Sequence, residues 1–185
     1  MTLALPEIDY LVKQDFNIND VLRIARKAYS GRLFLDAQSY FLHARLTAEH
    51  VIRVSAGLDK ETKELMVCAA LLHGVQGDPS ALNLYLIREG IDAQKAAKIS
   101  ELVFLLRHIS SIPYLPDLTG EYYIYNHMNL IIQESQGRPE VMLLVFCDML
   151  ASISIIRNIP ASQQAYAEYI YQEAKQVYAV LAERS

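Results

Sequence analysis

The stretch Cys68–Pro79, CAALLHGVQGDP, is where polar chemistry follows directly on an apolar helical run. Ala69 to Leu72 reads as buried helix, and it delivers an imidazole, His73, to the rim of that core. Gly74 is a helix-ending residue. Asp78-Pro79 has the form of an N-cap followed by proline at the first helical position, which starts a new helix over Ser80–Arg88. The plain reading is helix, turn, helix, with His73 as a hydrogen-bonded core residue. The sharper one makes His73 a ligand.

Working outward, the same helical spacing recurs on both sides. Asn19 is expected to cap a helix to about Tyr29, with Val21, Leu22, Ile24, Ala25 and Ala28 inside and Arg23, Arg26 and Lys27 outside, closed by Gly31. Arg32 to Tyr40 connects it to a helix over Phe41–Ala56, where His43 and His50 share a face and Gly57 ends the run. Lys60–Leu72 carries His73. Gly90-Ile91-Asp92 is a turn whose Asp92 caps Ala93–His108, and SSIPYLPDLTGEYY reads as a loop. Helices follow over Tyr122–Gln136, from Pro139 to about Asn158, and over Gln163–Ala182. Strand-period alternation and internal repeats are both missing from the sequence. The fold class is all-α, one helical domain over 19–185 behind an N-terminal lead of residues 1–18.

A chain of 185 residues that is 52% hydrophobic can bury a sizeable core. The formal net charge is -4 and the basic residues are scattered, so nucleic acid is not an expected partner. Apolar runs are too short for a bilayer crossing and the start lacks the pattern of a signal peptide, which predicts a cytoplasmic protein without membrane contact. Cys68 and Cys147 both sit in apolar helical runs and read as reduced core thiols.

Within VMLLVFCDMLASISII one carboxylate, Asp148, interrupts a core sequence. An unpartnered buried carboxylate costs several kcal/mol or gives up its charge. His43, His73 and Asp148 together form a competent donor set for a divalent transition metal, which would explain the tolerance of Asp148; a metal-free remnant, in which the three hydrogen-bond one another, is the alternative. Sequence spacing does not establish that they converge.

Four segments bear a resemblance: ARKAYSG with YFLHA, CAALLHG, LLVFCDML and YQEAKQVYAVLAERS. In this order they resemble the HD-type hydrolase domain of the RelA/SpoT family, which removes the 3'-pyrophosphate of (p)ppGpp, from about residue 20 to the end. The resemblance implies an HD-domain-like helical bundle and a Mn²⁺-type metal held by His43, His73 and Asp148. The departures are as informative. The family's His-Asp pair reads His73-Gly74, and its water-positioning Glu-Asp pair reads Gly77-Asp78. The Arg-Lys pair of the substrate loop is replaced by Phe34 and Leu35, and the polar residues after the last ligand by Met149, Ala151, Ser152 and Ser154.

The loss of a hard ligand, of a water-orienting base and of phosphate clamps implies impaired catalysis and a function in binding a nucleotide such as (p)ppGpp or a protein partner. The alternative is a divergent metal-dependent phosphohydrolase on (p)ppGpp or another phosphate ester, with Asp78 orienting water. Asp78 reads more readily as a cap than as a catalytic group. Arg32 and Lys27, with Arg23 and Arg26, are candidates for an anion-binding patch or simply a solvated face. His50, His108 and His127 read as ordinary helix residues. The tyrosines at 122, 123, 125, 166, 169, 171 and 178 offer either a partner or self-association surface or half-buried packing.

Overall fold

The computed structural model describes residues 16–33, 39–110, 129, 131–133, 135, 138–156 and 164–183. Residues 129 and 131–133 are helical, and seven further α-helices have both ends among the described residues: α1 Asn19–Ala28, α2 Tyr40–Val54, α3 Lys60–Leu72, α4 Pro79–Arg88, α5 Ala93–Ser110, α6 Pro139–Ile156 and α7 Gln164–Glu183. They build one all-α domain, and among the described residues the only β pairing is an isolated bridge between Leu33 and Ser39. The expected loop after Ser110, His127, Phe34, Leu35 and Tyr122, Tyr123 and Tyr125 lie outside the described residues, as does most of the helix expected over Tyr122–Gln136.

Local chemistry sets the helix starts. Asp59 accepts the backbone N–H of Thr62 at 2.9 Å to open α3, Asp78 that of Ala81 at 2.8 Å to open α4, and Asp92 those of Gln94 and Lys95 at 3.0 Å to open α5. Asn19 is a correction: it is the first helical residue of α1, and Ile18 takes the N-cap position without a side-chain cap. Ile18 is fully buried while Asn19 is exposed, so core anchoring fixes the start, and the Ile18 carbonyl accepts the first helical bond from Leu22 at 2.8 Å. Gly77, with φ +123°, turns the chain into the Asp78 cap.

The middle of the bundle is α3, whose residues Met66 to Leu72 are all fully buried. It packs against α1, α2, α5 and α6, while α4 pairs with α5 and α7 with α6. A helix that is apolar on every side at its C-terminal half belongs inside a bundle, and that half ends at His73. Cys68 and Cys147 are buried free thiols. Arg45 and Glu49, one turn apart on α2 and 4% and 3% exposed, form an ion pair at 3.1 Å inside the protein. None of the described helices is long and apolar enough to cross a membrane.

Candidate metal centre

Three helices contribute one side chain each. His43 lies in the first turns of α2, His73 caps the C-terminus of α3, and Asp148 stands mid-way along α6. The residues marked from the sequence meet: one ligand atom from each of His43, His73 and Asp148 lies within 4.8 Å of the other two. His43 Nε2 is 2.9 Å from Asp148 Oδ1, and His73 Nε2 is 3.3 Å from the same oxygen. Ligand atoms about 2.1 Å from a common ion are about 3.0–3.4 Å apart at octahedral or tetrahedral angles, so the two distances measured to Asp148 are close to those of a divalent centre.

The orientation of His73 supports the same fit. The last carbonyls of a helix have no intrahelical donor. His73 Nδ1 lies 2.7 Å from one of them, Ala70 O, and because a carbonyl only accepts, Nδ1 carries the proton. A neutral ring therefore turns a bare Nε2 lone pair toward the Asp148 carboxylate. Burial favours that neutral ring, pulling the His73 pKa down against the Asp148 charge, which pulls it up. Two acceptors facing one another call for a cation between them, and a backbone carbonyl behind a histidine is the support that metal-ligating histidines use.

Asp148 itself is held as a carboxylate. Burial pushes its pKa up, but the charge that His73 carries once protonated in acid, the hydrogen bond and charge of His43 and the Ser110 hydroxyl outweigh it and leave it at about 2. Ser110 donates to Oδ2 at 3.3 Å, which leaves Oδ1 to the two imidazoles.

Tyr40, one turn before His43, closes the cluster, with ring centroids 5.7 Å from His43 and 5.8 Å from His73. Burial and then the Asp148 charge push its hydroxyl up to about 12, so it is a neutral phenol at pH 7. Arg32 donates to Gly74 O at 2.6 Å with its guanidinium 4.9 Å from the Tyr40 ring. Arg107, which sequence reasoning missed, reaches from α5 to donate to Gly77 O at 2.6 Å and Val75 O at 3.2 Å. Its position on α5 is unremarkable as sequence; only the fold brings it to the turn after His73.

The other candidates separate from this group. Lys27 and Arg23 face Glu89, at 3.8 and 2.6 Å, in surface ion pairs, and Arg26 lies over Phe41. Asp78 spends a carboxylate oxygen on its cap and is exposed. His50 is half-buried, and His108 is exposed and stacked on Phe104. Tyr171 and Tyr178 are exposed and Tyr169 half-buried; Tyr178 borders an apolar groove of about 520 Å³ with Val54, Leu58, Leu143, Phe146 and Leu181, which shares no residue with the His43, His73 and Asp148 cluster. Compared with protein-family models, curated proteins and solved structures, the chain finds no match.

Proposed function

We propose that this chain is a degenerate HD-type domain, similar in design to the (p)ppGpp hydrolase domain of the RelA/SpoT family. It holds a divalent metal at His43, His73 and Asp148 and binds a phosphorylated nucleotide without turning it over efficiently. The observation that carries the reading is the convergence of those three side chains, from three separate helices, with the His73 Nε2 lone pair aimed at Asp148. A divalent ion there supplies a Lewis acid for a phosphate oxygen. Two imidazoles and one carboxylate leave an M²⁺ site with net charge +1, and Arg32 and Arg107 add two cations on the adjoining turn. That balance favours an anionic ligand.

Impaired turnover follows from the residues around the centre. Asp78, the one carboxylate in the position of the water-orienting pair, is engaged at the N-terminus of α4. General-base assistance is ordinarily worth a factor of about 10² to 10⁴ in rate. A divergent phosphohydrolase acting on (p)ppGpp or another phosphate ester is the second reading, favoured by the same two arginines beside the centre.

Equilibrium dialysis of labelled ppGpp with and without Mn²⁺, with product analysis of the same samples, tests both. Metal-dependent binding that His73→Ala abolishes, with intact nucleotide recovered, is the expected result. Pyrophosphate release lost in His73→Ala and Asp148→Ala would establish the second reading instead. Retained metal with no nucleotide bound would refute the nucleotide reading and turn the search to a protein partner or self-association.

A further inference from the structure

Gly74 is a glycine that its backbone does not require. The positive-φ glycines among the described residues are Gly31, Gly77 and Gly90, and Gly74 is not one of them. What excludes a side chain there is Tyr40. A Cβ built on Gly74 would lie 2.1 Å from Tyr40 Cε1, 2.5 Å from Cζ and 2.7 Å from the hydroxyl oxygen. Contacts that short do not occur between real atoms, so the phenol fills the volume into which any side chain at position 74 would project.

The arrangement is anchored from both directions. The Gly74 N–H donates to the Tyr29 hydroxyl at 2.9 Å, and its carbonyl accepts from Arg32 at 2.6 Å. The residues that hold Gly74 also hold Tyr40: the Tyr29 and Tyr40 rings are 5.0 Å apart, and the Arg32 guanidinium lies 5.6 Å from the first ring and 4.9 Å from the second. Tyr40 in turn borders both histidines of the cluster. Position 74 directly follows His73, so a side chain there would start at the edge of the same cluster.

We propose, resting on the metal centre argued above, that Tyr40 and Gly74 form an interlock that fixes the centre at three protein ligands. The phenol occupies the place from which a carboxylate at position 74 would join His43, His73 and Asp148. Tyr40 is then the residue that sets the charge and ligand number of the site, as a wall and not as a ligand. Restoring a carboxylate at 74 is productive only when Tyr40 is cut back.

The test is a double-mutant cycle on the full chain: the natural protein, Gly74→Asp, Tyr40→Ala and the double variant, with Gly74→Ala as a smaller probe of the same Cβ contact. Thermal unfolding in EDTA reads the interlock without metal, and the free Mn²⁺ signal in electron paramagnetic resonance reads affinity. Both substitutions at 74 are expected to lower the melting temperature strongly alone and much less in the Tyr40→Ala background. The double variant is expected to bind Mn²⁺ at least about tenfold more tightly than the natural protein, through one more hard anionic ligand. Equal losses at 74 in both backgrounds would overturn the interlock whatever the metal does. A folded double variant with unchanged Mn²⁺ affinity would overturn the claim on ligand number. Strong coupling in EDTA with no Mn²⁺ or Zn²⁺ taken up by any of these proteins would refute the metal centre, and the ligand-number claim with it, while leaving the steric contact established.

Discussion

Replacing Asp148 by Asn separates the charge of the cluster from its shape, because Asn keeps an oxygen to accept from His43 Nε2 at the present 2.9 Å. Without metal, the cost is what the His43 and Ser110 hydrogen bonds gain by meeting a charged rather than a neutral oxygen, about 1 kcal/mol, because the charge of a protonated His73, the largest influence lowering the Asp148 carboxyl, is absent from the neutral ring at pH 7. For a chain of 185 residues that corresponds to a melting temperature lower by about 2–4 °C. With metal the difference widens. An ion bound only by the folded state at 100 times its Kd stabilises by about 2.7 kcal/mol, which is about 5–11 °C here. If losing the anionic ligand weakens the site 100-fold, the same ion concentration leaves RT ln 2, about 0.4 kcal/mol, and a shift of about 1–2 °C. The assay is scanning calorimetry of both proteins in EDTA and in graded Mn²⁺ and Zn²⁺. Equal metal-induced shifts in the two proteins would refute the assignment of Asp148 as a ligand. So would a natural protein that shows no shift with either ion at millimolar concentration.

Two further outcomes are expected. Asp78→Ala removes the acceptor of the Ala81 N–H and should cost about 1 kcal/mol in chemical denaturation while leaving metal affinity unchanged; a large loss of affinity would place Asp78 in the site after all. In EDTA, acid should destabilise the protein in two stages. His73, whose pKa burial lowers, leaves the unfolded chain to take up a proton below pH 6.5 that the folded chain resists, so stability present above that pH is lost as pH falls. Asp148 adds a second loss between about pH 4 and 2, and denaturant titrations of His73→Asn across pH should lack the first stage; an unchanged profile would refute the buried neutral ring.

What could be read in the sequence follows the range of the forces involved. Asp78 and Asp92 announce helix starts because capping is a contact over two or three residues, and Asp148 announces itself because a charge among apolar neighbours is a local contradiction. Asn19 misleads for the complementary reason: its cap-like identity is local, but burial of Ile18, a tertiary fact, decides where α1 begins. Arg45 and Glu49 stand at i,i+4 spacing and form a buried ion pair, a burial that spacing alone does not announce, since it says that two residues meet and nothing about which face they share. Arg107 and Ser110 carry no mark at all. They matter through a turn 30 residues earlier and a carboxylate 38 residues later, and no periodicity spans those separations.

Gly74 combines both kinds of signal. As sequence, it is a helix-ending glycine, and in the proposed HD-type reading it stands where a carboxylate would be. The geometry adds that the space a side chain would take at 74 is filled by the Tyr40 ring from α2, while Tyr29 and Arg32 hold the Gly74 backbone by hydrogen bonds and pack against that ring. A filled space resists a new side chain more than an empty one, because placing a carboxylate at 74 requires displacing a packed aromatic residue at the same time. Single substitutions at 40 or 74 are therefore both unfavourable, and the three-ligand state is protected by packing whether or not its metal confers an advantage. Stability and ligand number are thus coupled through one contact, which is why the cycle at 40 and 74 discriminates more sharply than removal of any ligand.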